Sequence, residues 1–318
     1  MKFDYKKWAP VLAVAVLTGA IYLIAQRIRG IQFSDILMQI RALPPTSVLW
    51  ATAFSAAAYL LVGVYEGSAL HRITGQWRMW YAMRTTVIAN PVGRAIGVAV
   101  VSGGALRYRF YSAIGLSAKQ VGTLIVLMAM PYVLGVGWLI DLSLIFHPQV
   151  GSNALGLATS TVLIIASIGL IKDLGWLAFV KFRRAPLGHG QLQISLPSLA
   201  HTGLQITLGI AQILCNTVIL YLLMPAELNM SWPAFIAIYC IAFVAGQLSN
   251  VPAGLGVLEA VLLLLLPHVP PAKLLGAVIV YRAVFEVLPL FVGLILWTFY
   301  EAGALKRRRT ASAGRTSD

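Results

Sequence analysis

The sequence predicts an all-α, polytopic membrane bundle of about eight membrane segments, some re-entrant or broken, with a weak internal inverted repeat. Three observations carry this. Of 318 residues, 59% are apolar and 11% charged, against about 25% charged and roughly 45–50% apolar (Gly included) in soluble domains. The mean hydropathy is +0.83. The apolar residues fall in runs near the ~20 that a helix needs to cross hydrocarbon, with most basic residues between the runs. A soluble globule could not bury so much apolar surface. Disordered and collagenous chains fail for the same reason, and two Cys exclude a disulfide scaffold.

The first run is Trp8–Ala25, behind Lys2, Lys6 and Lys7. It is longer than the ~7–15 residues of a signal-peptide core, lacks a small-x-small cleavage pattern and precedes Arg27, so it reads as a retained anchor. Val48–Tyr65, Gln120–Ile140, Gly151–Ile171, Leu199–Met224 and Trp232–Val251 are uncharged runs. Leu274–Tyr300 is interrupted only by Arg282 and Glu286. Backbone groups cannot go unpaired in hydrocarbon, so each run is expected to be helical. Val87–Val101 and Pro252–Pro267 are apolar but irregular. The first holds Asn90-Pro91 and Arg94, and the second starts Pro-Ala-Gly-Leu-Gly and holds Glu259. Residues 1–305 read as one membrane domain and 306–318 as a basic, disordered tail.

The positive-inside rule orients the chain. The N-terminus, Arg72–Arg84, Arg107–Lys119, the Lys172–Arg184 loop and the tail hold 18 of the 24 basic residues and are assigned to the cytoplasm. His147–Ser152 and Pro225–Ser231 contain no Lys or Arg and go outside. Arg27, Arg29 and Arg41 in the first outside loop run against this assignment. Because Arg72–Arg84 and Arg107–Lys119 want the same side, the chain between them must enter the membrane and return. A hairpin hinged near Asn90-Pro91-Val92-Gly93 does this. Pro252–Pro267 must likewise return the chain outward. Both segments carry Asn, Pro and Gly at the expected break: Asn90, Pro91 and Gly93 in one, Asn250, Pro252, Gly254 and Gly256 in the other. Pro and Gly are common in membrane helices, yet paired broken segments are also what repeat-built transporters show.

Enzyme signatures are mostly absent. The five His are scattered, without metal-ligand spacing, so no metal and no cofactor is expected. Gly254-Leu255-Gly256-Val257-Leu258-Glu259 lacks the third Gly of a dinucleotide fingerprint. Nucleic acid is excluded because the basic residues are spread over loops at one membrane face. Charges within apolar runs are the sharper signal, because each costs about 2.5–3.5 kcal/mol at a helix centre on insertion scales. These are Arg94, Glu259, Arg282 and Glu286. Arg282 and Glu286, four apart, could neutralise each other on one helix face, and Glu259 needs an Arg from another segment. Such ions either lock helices together or bind an anionic headgroup while the carboxylates gate. Ser102–Tyr111 holds Gly103, Gly104, Arg107 and Arg109 among three aromatics. It suits either an interfacial belt or a phosphate contact by forked Arg donors.

Gly103-Gly104 followed by Arg107-Tyr108-Arg109-x-Tyr111-Ser112 resembles the first signature of the YbhN-like inner-membrane proteins, within the wider lysylphosphatidylglycerol synthase transmembrane (flippase-like) family. Pro252–Ala260 resembles that family's second signature, and Tyr281-Arg282 with Glu286 and Pro289 its third. The resemblance covers essentially the whole chain. It implies a multi-pass bacterial inner-membrane bundle with re-entrant helices, both termini cytoplasmic, acting on anionic or aminoacylated phospholipids, cardiolipin among them. Two-domain relatives add a cytoplasmic domain that makes the aminoacylated lipid. After Tyr300 only a basic tail is expected here, so lysyl transfer is not.

The leading expectation is a lipid translocase or lipid-transport protein. Arg107, Arg109 and Arg282 would contact the headgroup, with Glu259, Glu286 and Arg94 as charge partners. The alternatives are a scaffold for a lipid-synthase partner, and a membrane enzyme with Glu259 as general base.

Overall fold

The computed structural model describes residues 32–96, 99–183, 198–249 and 251–313. The expected anchor Trp8–Ala25 and Asn250 lie outside the described residues. Among the described residues the elements are helical, in the order α1 Phe33–Ala42, α2 Pro45–Thr74, α3 Met79–Ile96, α4 Ala99–Ser112, α5 Ala118–Phe146 and α6 Pro148–Leu155. There follow α7 Thr159–Phe182, α8 Leu199–Leu223, α9 Trp232–Leu248, α10 Val257–Leu265, α11 Pro271–Arg282 and α12 Leu288–Ala313. A π turn, Ala283–Val287, joins the last two. Five helical spans are long and apolar enough to cross a membrane: α2, α5, α7, α8 and the continuous Pro271–Gly303. α9 and Pro252–Leu265 are apolar but shorter.

Local chemistry sets the ends. α2 opens with Pro45 at its first turn, where a missing amide costs nothing, and stops at Gly75, φ 71°. α5 begins with a capping box in which the Gln120 amide donates to Ser117 Oγ and the Ser117 amide donates to Gln120 Oε1 at 2.9 Å. Ser198 caps α8 by accepting from the His201 amide. The expected run Gly151–Ile171 is split. Pro148 and Gly156, φ 65°, bound the short α6, and α7 starts afresh at Thr159. Lys172 consequently lies inside α7, not in a cytoplasmic loop. α12 continues to Ala313, into the segment read as a disordered tail.

The largest core cluster joins α2, α5, α8, α9 and α10 to the last helical span, through residues such as Ile213, Leu220, Phe235, Tyr239, Leu262, Leu274, Tyr281 and Phe285. A second cluster binds α2 to α3, α4 and α5 through Tyr65, Leu70, Ala82, Tyr111 and Leu124. α1, in the first loop, packs against α11.

Two hairpins interrupt this bundle. In the first, α3 packs against α4 and runs on unbroken to Ile96, so Asn90, Pro91 and Gly93 are not its hinge. All three lie inside α3, and Gly103 and Gly104 lie inside α4. Pro91 only deprives the Val87 carbonyl of its amide partner. That carbonyl faces Gly293 of α12, where a Cβ would stand 2.6 Å from it. In the second hairpin α9 packs against α10, and the reversal is a 3-10 turn, Pro252–Gly254. Ala253, Gly254 and Gly256 all have positive φ, 50°, 61° and 80°. The turn also touches α3, so the two hairpins meet.

Candidate functional site

At this meeting point two ion pairs face each other. Arg282, at the end of α11, donates from Nη2 to Glu259 Oε2 at 2.9 Å. It also donates to the carbonyls of Ala253, from Nη1 at 3.0 Å, and of Gly254, from Nη2 at 3.2 Å. Glu259 in turn accepts from the Gly256 amide at 2.9 Å. A broken helix leaves carbonyls and amides that hydrocarbon cannot satisfy. Here one guanidinium serves the carbonyls and one carboxylate serves the amide, while the two neutralise each other. Both side chains are largely buried.

Glu286 accepts from Arg94 Nη2, near the end of α3, and the Arg94 guanidinium lies 4.5 Å from the centre of the Phe285 ring. The intrahelical pairing of Arg282 with Glu286 therefore does not form. Four residues keep one face only in an α-helix, and the intervening backbone is a π turn, whose Val284 carbonyl accepts from Ser55 Oγ at 3.1 Å. Tyr239 and Tyr281 share a hydroxyl–hydroxyl bond of 2.8 Å. Tyr59 lies edge-on to Phe285, and its hydroxyl is buried without a partner among the described residues. A cavity of about 20 Å³, enough for one water, is lined by Gln247, Gly254, Arg282 and Glu286 among others.

A second network locks the first hairpin. Glu66 of α2 is fully buried and accepts from Arg107 Nε at 2.9 Å, Arg107 Nη2 at 3.0 Å, Tyr111 Oη at 2.8 Å and the Thr86 hydroxyl. Arg107 Nη2 also donates to Asn90 Oδ1 at 2.6 Å. Gly103 lies one turn away, where a Cβ would meet Ala89 O at 3.3 Å. This arrangement commits Arg107 to Glu66 and Asn90, so it is not an open headgroup contact. Arg109 is more than half exposed and donates from Nη2 to both oxygens of Glu301 at 2.6 Å. Gly104 faces Ile125 of α5, away from these ions.

Glu66 is the residue that sequence reasoning missed. The uncharged run ends at Tyr65, yet the helix continues nine residues further, to Thr74. Extending the 3.6-residue period past the first charge would have exposed it. Among the described residues no group of three or more His, Cys, Asp or Glu could hold a metal ion.

Fold and site define a class: a multi-pass α-helical membrane protein whose interior ions hold two hairpins together. No protein-family model matches the chain. It is 25% identical over 326 residues to the inner membrane protein YbhN of Escherichia coli, covering 97% of this chain and 98% of YbhN. It is 26% identical over 300 residues to the Synechocystis protein slr0712, covering 90% and 89%. The phosphatidylglycerol lysyltransferase of Staphylococcus aureus is 23% identical over 291 residues, covering 90% of this chain and 33% of its own length. That match falls on its transmembrane portion. These near full-length similarities support membership in the YbhN-like inner-membrane family.

Proposed function

We propose that this protein moves an anionic or aminoacylated phospholipid within the bacterial inner membrane, with ion-pair exchange at the hairpin junction as the working step. The observation that carries the reading is the junction itself, Arg94–Glu286 and Arg282–Glu259 between two hairpin tips. The similarity to a protein named for phosphatidylglycerol supports the substrate class.

Ion pairs at membrane depth are expensive unless each partner is matched. A lipid phosphate entering the junction competes with Glu286 for Arg94 and with Glu259 for Arg282. Exchange of one anion for another keeps the guanidinium paired throughout, so the barrier is far below that of stripping an ion bare. The freed carboxylate releases its hairpin tip, and re-pairing returns it. Arg109, exposed at the base of the first hairpin, meets headgroups at the surface. Arg107 positions α4 through Glu66. With the anchor and the two hairpins, the five long spans complete a bundle of about eight segments. Both termini are then cytoplasmic. A lipid-synthase partner would supply modified lipid.

Native mass spectrometry of gently purified protein tests the substrate class. Anionic or aminoacylated phospholipid is expected to remain bound to the wild type and to be lost from the Arg94→Ala and Arg282→Ala variants. Retention of only zwitterionic lipid, or equal retention by both variants, contradicts the proposal.

A further inference from the structure

A different group of charges lies where α5 crosses α7, and neither the hairpins nor the ion-pair exchange uses it. Asp173 is the fifteenth of 24 residues in α7, about 21 Å from its start at 1.5 Å per residue. Asp141 lies five residues from the end of α5. Both residues are buried, with 8% and 3% of Asp141 and Asp173 exposed. The packing is reciprocal. Asp141 fills the notch left by Gly169 of α7, where a Cβ would collide with its carboxylate, and Asp173 fills the notch left by Gly137 of α5. Both are Gly-x-x-x-Asp on their own helix, so each glycine sits one turn from the aspartate on the same face.

The charge does not balance. Elsewhere among the described residues every acidic group in an ion pair has its own base: Glu66, Glu227, Glu259, Glu286 and Glu301 with Arg107, Lys273, Arg282, Arg94 and Arg109. Here two carboxylates share one ammonium. Lys172 Nζ is 3.0 Å from Asp173 Oδ1 and 3.9 Å from Asp141 Oδ2. The Oδ2 atoms of both aspartates are buried with no hydrogen-bond partner among the described residues. No other base is near. α6 and α9, which also pack on α5, carry no Asp, Glu, Lys, Arg or His. The α8 helix meets α5 and α7 but has only His201, near its start, while Gly209 marks its crossing with Gly135. The charges of α2 and α4 surround the opposite half of α5, around Val121–Met128.

We infer that Asp141, Asp173 and Lys172 form a proton-binding site in which one proton is shared between the two carboxyls. With that proton the site is neutral: one acid, one carboxylate and one ammonium. Without it a net negative charge lies between the two packed helices, with only the Lys172 ammonium, more than half exposed, to offset it. Two carboxyls in one site resist ionising together, and a buried unpaired charge is the costlier state. The α5–α7 crossing is thus tightest when protonated. This holds whether or not the protein moves lipid.

Infrared spectroscopy of the purified full chain in lipid tests this without any transport readout. The wild type should show the carbonyl band of an un-ionised carboxylic acid at about pH 6, where ordinary carboxyls are ionised, shifted in heavy water and fading as the pH rises. Asp141→Asn and Asp173→Asn should each lose the band, because either leaves a single carboxylate that Lys172 neutralises. Lys172→Ala should keep it to higher pH than the wild type. No band in the wild type at about pH 6, where ordinary carboxyls are ionised, or an undiminished band in both Asn variants, overturns the site. If one Asn variant fails to fold, the other and Lys172→Ala decide it.

Discussion

Arg282 neutralises Glu259 and at the same time closes the carbonyls of a broken helix, so its removal exposes three acceptors at once. A buried pair broken on one side costs about 3–5 kcal/mol, because the remaining charge stays buried. Arg282→Ala is therefore expected to lose stability of that order, read as the free energy of unfolding in detergent. Arg282→Lys should recover only part of it, since a lysine has the charge without the planar fork that reaches Glu259 and both carbonyls together. A loss below about 1 kcal/mol, the range of exposed pairs, would mean that water already serves these groups. Glu66 is the corresponding anchor of the first hairpin. It has no exposed surface and four donors from three residues, so it fixes α2, α3 and α4 in one register. Lys273, in the first turn of α11, makes a separate contact with Glu227, where the lysine holds the Glu227 carboxyl below its usual range.

At the scale of elements, the second hairpin depends on backbone conformations that side chains resist. Gly254 combines φ 61° with a Cβ position 3.0 Å from Gly246 Cα, so Gly254→Ala meets both strain and backbone. It should cost about 1–3 kcal/mol and distort the turn that Arg282 grips. Gly104→Ala is the contrasting case. Its Cβ would meet only the far end of Ile125, in a helix where Ala is favoured over Gly, so unfolding measurements should show little change or a gain. The elements also show what was legible in the sequence. The long apolar helices were, because 20-residue runs have few alternatives, and so was the need for a hairpin between two basic segments. Its turning point was not. Asn90-Pro91 reads as a break by local rules, but the helix passes through it because the Val87 carbonyl is accommodated at Gly293, 202 positions from Pro91. The pairing of Arg282 and Glu286 failed for a similar reason: i, i+4 spacing presumes α geometry, and a π turn intervenes. Asp141 and Asp173 escaped notice, and Lys172 reads as part of a cytoplasmic loop, because each sits at the edge of an apolar run, where the sequence looks like a loop boundary.

Across the whole molecule, the acidic residues are few and nearly all are spent internally. Of the eight described, seven make ion pairs and the eighth, Asp35, accepts from the Gln32 amide at the start of α1. The basic excess of +14 is what these pairs leave over. The interior charges are instead matched one to one at the hairpins, which is the arrangement that headgroup exchange requires. Reconstitution in liposomes with fluorescently labelled phosphatidylglycerol or its aminoacylated form measures this most directly. The account predicts that the wild type accelerates movement between leaflets and that Glu259→Gln and Arg94→Ala each slow it at least about tenfold, the effect of about 1.4 kcal/mol on a barrier. Movement no faster than in empty vesicles, or full activity in both variants, would contradict it.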